Sequence, residues 1–260
     1  MDEIAERIEE NTGVDEHIIR RATGILSEPK VMKSHAVSEA YQVLIKNSDP
    51  NPSVVWNQVL KPLYVSVNED TELRSWRVAS GFGFKYFIKH YYESILPPQY
   101  SIRMRRRSER EQIVDNLKFP NQVTVNDLRI TIEVKYRGKQ VLAGVLHAQT
   151  GLRGTFNDLT SVSEELLRID YFTPLLTLDH SSILGKNNRS PKRQKVLENK
   201  YFSGIYCFNM DVEPTSGKGY QTSVKTMELN DTRDVFVKDL EGYCLSIDSE
   251  ILENRAIEVN

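Results

Sequence analysis

The chain has 260 residues, 39% of them hydrophobic and 27% charged, which suits one large or two small packed domains and excludes a disordered chain. No apolar run approaches the roughly 18 residues of a membrane span. The N-terminus MDEIAERIEENTG lacks the charged-then-apolar layout of a signal peptide, so a cytoplasmic protein with no membrane segment is expected. The net charge of −2 hides a segregation: the first sixteen residues carry seven acids against Arg7, whereas SIRMRRRSER gathers Arg103, Arg105, Arg106, Arg107 and Arg110 against Glu109. A second basic run, NNRSPKRQK, holds Arg189, Lys192, Arg193 and Lys195. Each cluster suits a solvated surface, and the two together leave a polyanion partner open. Cys207 and Cys244 are too few for a disulfide framework or a zinc site and read as core thiols.

From Met1 to about Glu93 the spacing of apolar residues is helical. SHAVSEAYQVLI repeats them at three- and four-residue intervals behind Ser34, a candidate N-cap. NPSVVWNQVLKPLYVSV aligns Val55, Val59 and Leu63 on one stripe, and Pro62 should kink or end that helix. SWRVASGFGFKYFIKHYYESI, opened by Ser75, supplies a third apolar face with Phe84, Phe87 and Ile88. After the arginines the period changes to two. QVTVNDLRITIEV, the turn YRGK and the continuous apolar run QVLAGVLHAQT predict a hairpin whose second strand is central. LTSVSEELLRIDYF reads as a helix, TPLLTLDH and FSGIYCFNMDV as strands, and DTRDVFVKDLEGYC as a C-terminal helix opened by Asp231. Strands flanked by helices indicate an α/β core carrying a helical front unit.

A hairpin turning near Gly138 sets Asp127 and Gln149, each eleven residues away, together at its open end. A carboxylate there, beside a polar residue on the next strand, is the geometry in which an acid holds Mg²⁺ and a nearby ammonium positions water. The same two residues also suit an ordinary solvent-facing hairpin end. Glu133 and Lys135 in IEVKYR imitate a catalytic strand end, but they lie near the turn and are expected in solvent. His147 reads as a hydrogen-bonded core histidine.

Four segments, SWRVASGFGFKYF, VNDLRITIEV, GVLHAQTGLRG and FSGIYCFNMDVEPTSG, together resemble the type II restriction endonucleases of CCGG-centred sites, of the AgeI and BsaWI kind. The resemblance runs from about Val31 to the C-terminal helix. It implies a PD-(D/E)xK nuclease: an α/β fold with a mixed sheet flanked by helices, a helical region over residues 1–95 packing on a core over residues 96–260. It also implies a homodimer that cuts double-stranded DNA with Mg²⁺, and a cognate DNA methyltransferase. Asp127 matches the family's metal-binding Asp. Gln149 falls where the family carries a Lys, and Lys85 where its Gly-x-x-Phe-Glu helix carries a Glu. An ammonium moved from strand to helix would keep such a site working, with Lys85 and Gln149 as catalytic candidates. A decayed site that binds DNA without cutting is the alternative.

A second carboxylate for metal would come from Glu164 or Glu165, fifteen and sixteen residues beyond Gln149, with Glu164 nearer the family's spacing. A solvent-facing helix explains that pair equally well. Arg153 matches the family's first base-reading Arg, whereas Thr155 and Phe156 depart from its charged readers. Asn157 and Asp158 suit either base edges or a helix cap. Arg103, Arg105, Arg106 and Arg107 are expected as phosphate contacts.

Overall fold

The computed structural model describes residues 2–46, 51–68, 73–152, 156–184, 191, 201–209, 224–226 and 232–257. The front unit is helical throughout its described length: α1 (Asp2–Thr12), α2 (Glu16–Leu26), α3 (Lys33–Lys46), α4 (Pro52–Val54), a π-helical stretch (Val55–Leu60), α5 (Lys61–Asn68) and α6 (Leu73–Glu93). Ser34 is not the cap of α3. It lies buried inside the first turn, and the His35 and Ala36 amides bond the Met32 carbonyl at 2.8 and 3.0 Å. Ser75 likewise falls inside α6, where its hydroxyl pairs with that of Tyr64 at 2.9 Å. Pro62 does not stop its helix. Proline has no N–H and crowds the carbonyl four residues back, and the preceding turn widens in response, so that the Lys61 amide reaches Trp56 O.

The strands form two sheets, β1-β2-β3 antiparallel and β4-β5-β6-β7 parallel. They are β1 (Tyr100–Met104), β2 (Ile130–Tyr136), β3 (Lys139–Val145), β4 (His147–Gln149), β5 (Pro174–Thr177), β6 (Gly204–Cys207) and β7 (Val224–Thr226). Helix α7 (Arg107–Leu117) follows β1, α8 (Phe156–Arg168) precedes β5, and α9 (Thr232–Ser246) and α10 (Ser249–Glu253) follow β7. Asp231, the expected cap of α9, lies outside the described residues, as does the basic run 185–200 apart from Pro191. The expected hairpin is present, with its turn at Arg137 and Gly138, both at positive φ. Its strands are shorter than the alternation suggested, because residues 121–129 form turns and a 3₁₀ helix (Asp127–Arg129). Strand β1 was hidden in the basic run, where YSIRM buries Ile102 in the core.

A β-bulge decides how the two sheets meet. Glu133 pairs with Leu142, but Ile132 pairs with Gly144, so Ala143 is an extra residue. Val141 and Ala143 therefore join the core under the front helices, while Leu142 and Val145 both face a second core with α7 and α8. Gly144 then meets the segment leading into β5 so closely that a Cβ there would stand 1.9 Å from Phe172 O. Only glycine permits that approach, and the Val145 and Phe172 amides bond across it at 2.9 and 3.0 Å.

One apolar core runs from the front helices through both sheets. Aromatic rings carry it: Tyr41 meets Trp56, Trp56 meets Phe84, and Phe84 meets Phe208 just beyond β6, with centroids 4.6, 5.6 and 6.4 Å apart. Each fully buried side chain of this size contributes on the order of 2 kcal/mol. Gly83 lets α3 approach α6, since a Cβ there would lie 2.5 Å from Val37 Cγ1. Phe84 and Gly83 thus fix the height and rotation of α6, and with them the position of Lys85.

Candidate functional site

Strand β4 begins where the chain leaves the hairpin. Leu146 makes the last link to the hairpin, its amide bonding Ile130 O at 2.9 Å, and His147–Gln149 then pair with β5, Gln149 opposite Thr177. Asp127 and Gln149 are therefore not ladder partners, and the expectation that they face each other across the hairpin is corrected. The register past the bulge would have matched them, but the ladder ends at Ile130, and Asp127 sits in the 3₁₀ turn before it. Its Oδ2 closes that turn, accepting Thr124 N and Thr124 Oγ1, both at 2.7 Å. Arg110 holds the same loop through Val125 O at 2.7 Å, and the Arg105 amide bonds Arg129 O at 3.0 Å.

Helix α6 packs on β4 and brings Lys85 near His147. Lys85 and Arg129 both lie over the ring of Phe82, with Nζ 5.5 Å and Cζ 4.9 Å from its centroid. Burial, then the Arg129 charge, lower Lys85 to about 8. His147 is 5% exposed, and burial followed by the Lys85 charge lowers it to about 4. His147 is the expected core histidine in its burial, but its Nε2 has no hydrogen-bond partner among the described residues. An enclosed polar atom left in that state costs about 1–3 kcal/mol. Arg129 and Phe82 were missed by the sequence reading, although Arg129 stands only two residues past Asp127.

Glu133 is not in solvent. It is fully buried, accepting Thr131 Oγ1 at 2.8 Å and Arg105 Nε at 3.0 Å, with Arg105 Nη2 in closer contact and Arg103 Nε 3.4 Å from its other oxygen. The misreading arose because distance from the turn says nothing about cover, and β1 supplies that cover. Lys135, nearer the turn, is exposed as expected. Arg105 is consequently spent on Glu133 and Glu109 and is only 5% exposed, so its expected role as a phosphate contact is corrected. Arg103 and Arg106 are exposed, and Arg107 is exposed but paired with Glu111 at 2.9 Å.

The other expected residues are dispersed. Glu164 and Glu165 lie on α8, engaged by Arg168 of the same helix at 3.9 and 3.0 Å. Asn157 is exposed in the first turn of α8, and its carbonyl accepts Thr160 Oγ1 at 2.9 Å. Asp158 belongs to that turn, but its side chain lies outside the described residues, as does Arg153 entirely. Among the described residues no three His, Cys, Asp or Glu side chains converge to hold a metal ion. Asp127 is engaged by Thr124, and Glu164 and Glu165 by Arg168, so the described residues bring together no set of oxygen ligands for the Mg²⁺ that the resemblance implies. Cys207 and Cys244 are packed thiols, pushed by burial up to about 12 and about 11.

No protein-family model matches the chain, and no curated protein matches it by sequence. Solved structures do match. The crystal structure of the specific restriction endonuclease AgeI–DNA complex superposes with a TM-score of 0.74 over 87% of this chain and 92% of that one, at 19% identity. The fold is that of a restriction endonuclease. The pre-specific BsaWI–DNA complex shares it more loosely, with a TM-score of 0.50, 13% identity and coverage of 92% of this chain and 93% of that one. The two likenesses cover 87% and 92% of this chain, more than its strand-bearing part alone could supply.

Proposed function

We propose that this chain is a site-specific endonuclease that binds double-stranded DNA and hydrolyses its phosphodiester bonds, with Lys85 supplying the ammonium that Gln149 lacks. The observation that carries this reading is the seating of α6 on β4, which sets Lys85 beside the His147–Gln149 strand end in a fold shared with AgeI, solved on DNA. An ammonium with a pKa of about 8 is mostly charged at neutral pH. In a half-dry site it attracts charge building on a phosphate oxygen far more strongly than it would in water. Exposed Arg103, Arg106 and Arg107 suit phosphate contacts, and Asn157, with Arg153 and Asp158, suits base-edge readout at a CCGG-related sequence. A homodimer, a cognate methyltransferase and a cytoplasmic location belong to the same reading; the Mg²⁺ that the resemblance implies finds no assembled ligand set among the described residues, so no step runs through it.

The test is incubation of the protein with mixed duplex DNA, with Mg²⁺ or with EDTA, followed by sequencing of the ends. Ends at one defined sequence are expected. Tight, sequence-specific binding with intact DNA under both conditions would refute cleavage and leave a DNA-binding protein. The lack of converging carboxylates among the described residues favours that second reading. Failure to bind duplex DNA even at low salt would refute both.

A further inference from the structure

We propose that Asp179 is a positioning residue for the β4 strand end: the loop over residues 178–184, folded around its carboxylate, sets the chain from Gln149 to Leu152. The inference rests on the DNA reading for what that chain does, since Arg153 follows it in sequence and Asn157 lies in the first turn of α8. Asp179 has no exposed surface. Its Oδ1 accepts Ile183 N at 3.0 Å and its Oδ2 accepts Leu184 N at 2.7 Å, so one side chain folds the loop back on itself. The backbone takes left-handed φ values of +38° at Asp179 and +48° at Ser182. Two such residues, neither of them glycine, persist in one short loop only where surrounding contacts hold them.

The loop meets the strand end residue by residue. Leu178 N donates to Gln149 O and His180 N to Thr150 O, both at 3.2 Å, which carries the pairing past the last ladder position of β4 and β5. A Cβ on Gly151 would stand 2.9 Å from the His180 ring. Leu152, fully buried, packs in one cluster with Ile183 and Leu184, the two residues whose amides Asp179 holds. Residues 149 to 152 thus each rest on this loop. Asn209, just past β6, ties it from another side: its Nδ2 donates to Asp179 O at 3.1 Å and Ser182 Oγ at 3.2 Å, and its Oδ1 accepts Asn51 Nδ2 at 3.2 Å. Asn51 caps α4, so the loop is braced on the front helical unit as well. A buried carboxylate is a costly way to close a turn, and burial alone would favour an apolar residue. It supplies what an apolar residue cannot, two directed acceptors for main-chain amides, which fix the place of the loop and do not merely fill space.

The test measures binding by the full chain in EDTA to a duplex that the parent protein enriches from a randomised library, with a scrambled duplex as reference. Asp179→Asn keeps one of the two acceptors. It should weaken binding to the enriched duplex about ten-fold and to the scrambled one under about two-fold, because a displaced strand end spoils readout and leaves phosphate contacts in place. Equal loss on both duplexes, or loss on neither, would overturn the proposal. Should that variant fail to fold, as judged by its thermal melt, Gly151→Ala decides from the opposite side of the contact. It should lose the same discrimination, and adding His180→Ala should make room for the Cβ and restore it. Unaltered discrimination in Gly151→Ala, or a deficit that His180→Ala does not rescue, overturns the proposal. A parent protein that enriches no duplex removes the DNA reading alone. The Leu178 amide, bonded across the contact to Gln149 O, then decides by hydrogen exchange. It should exchange about ten-fold faster in Asp179→Asn or Gly151→Ala than in the parent, and an unmoved rate overturns the proposal.

Discussion

Glu133→Gln should destabilise the protein by about 3 kcal/mol, although the substitution keeps the shape of the side chain. Glu133 is fully buried and compensates Arg105, whose side chain is 5% exposed. With the charge removed, that guanidinium keeps only Glu109, 3.0 Å away and 26% exposed. Breaking a buried pair from one side costs about 3–5 kcal/mol because the other charge is stranded, and the residual Glu109 contact sets the lower end of that range. Equilibrium urea denaturation would read it as a midpoint shift of roughly 1 M at an unchanged slope, for a slope near 3 kcal/mol/M. A loss under about 1 kcal/mol would refute the reasoning, since Arg105 would then not depend on Glu133. The double variant Glu133→Gln with Arg105→Met should be more stable than Glu133→Gln alone, because the stranded charge leaves with its partner.

Gly144→Ala should cost about 3 kcal/mol or more in the same urea assay, since its Cβ would stand 1.9 Å from Phe172 O and part the two sheets; a near-neutral effect would mean that the junction adjusts freely. Burial lowers His147 to about 4 and raises Asp179, a buried carboxyl just past β5 that accepts Ile183 N and Leu184 N at 3.0 and 2.7 Å, to about 6. His147 therefore removes stability as pH falls from about 6.5 to 4, whereas Asp179 removes it as pH rises from about 4 to 6. Over that second window Asp179→Asn should gain about 3 kcal/mol more stability with rising pH than the parent, and parallel curves would refute the Asp179 assignment. If the chain cuts DNA, Lys85→Ala should slow single-turnover cleavage by about a hundred-fold while DNA affinity stays within a few-fold, and cutting at the parental rate would remove Lys85 from the chemistry.

The helices, the hairpin and the strand end were legible in the sequence because each rests on local periodicity. The three- and four-residue spacing around Phe84 gave α6, and the turn residues Arg137 and Gly138 gave the hairpin. What was not legible depends on contacts between distant segments. Glu133 looked exposed because nothing in IEVKYR reveals that Arg105, in a basic run, folds over it. The same run yielded two structural arginines, Arg105 and Arg110, because composition cannot tell a charge that holds a loop from one that faces solvent. The pairing of Asp127 with Gln149 extrapolated one ladder past the point where both strands leave it. Arg129 escaped notice because its significance comes from Phe82, on a helix far away in sequence.

The bulge at Ala143 and the departure at Leu146 also explain why a lysine at position 85 matters. A strand that continued along the hairpin would carry residues 147–149 along β2. By crossing instead to β5, it comes under α6, whose height is set by Phe84 against Phe208. A charge at position 85 is then placed near His147 by the packing of α6 on the core. A positive charge there therefore acts on the strand end in a site with few ways to relax. A lysine merely tolerated at that position would be expected to turn outward or to pair with a carboxylate. Lys85 does neither among the described residues: it stays half-buried beside Arg129, at the cost of a lowered pKa.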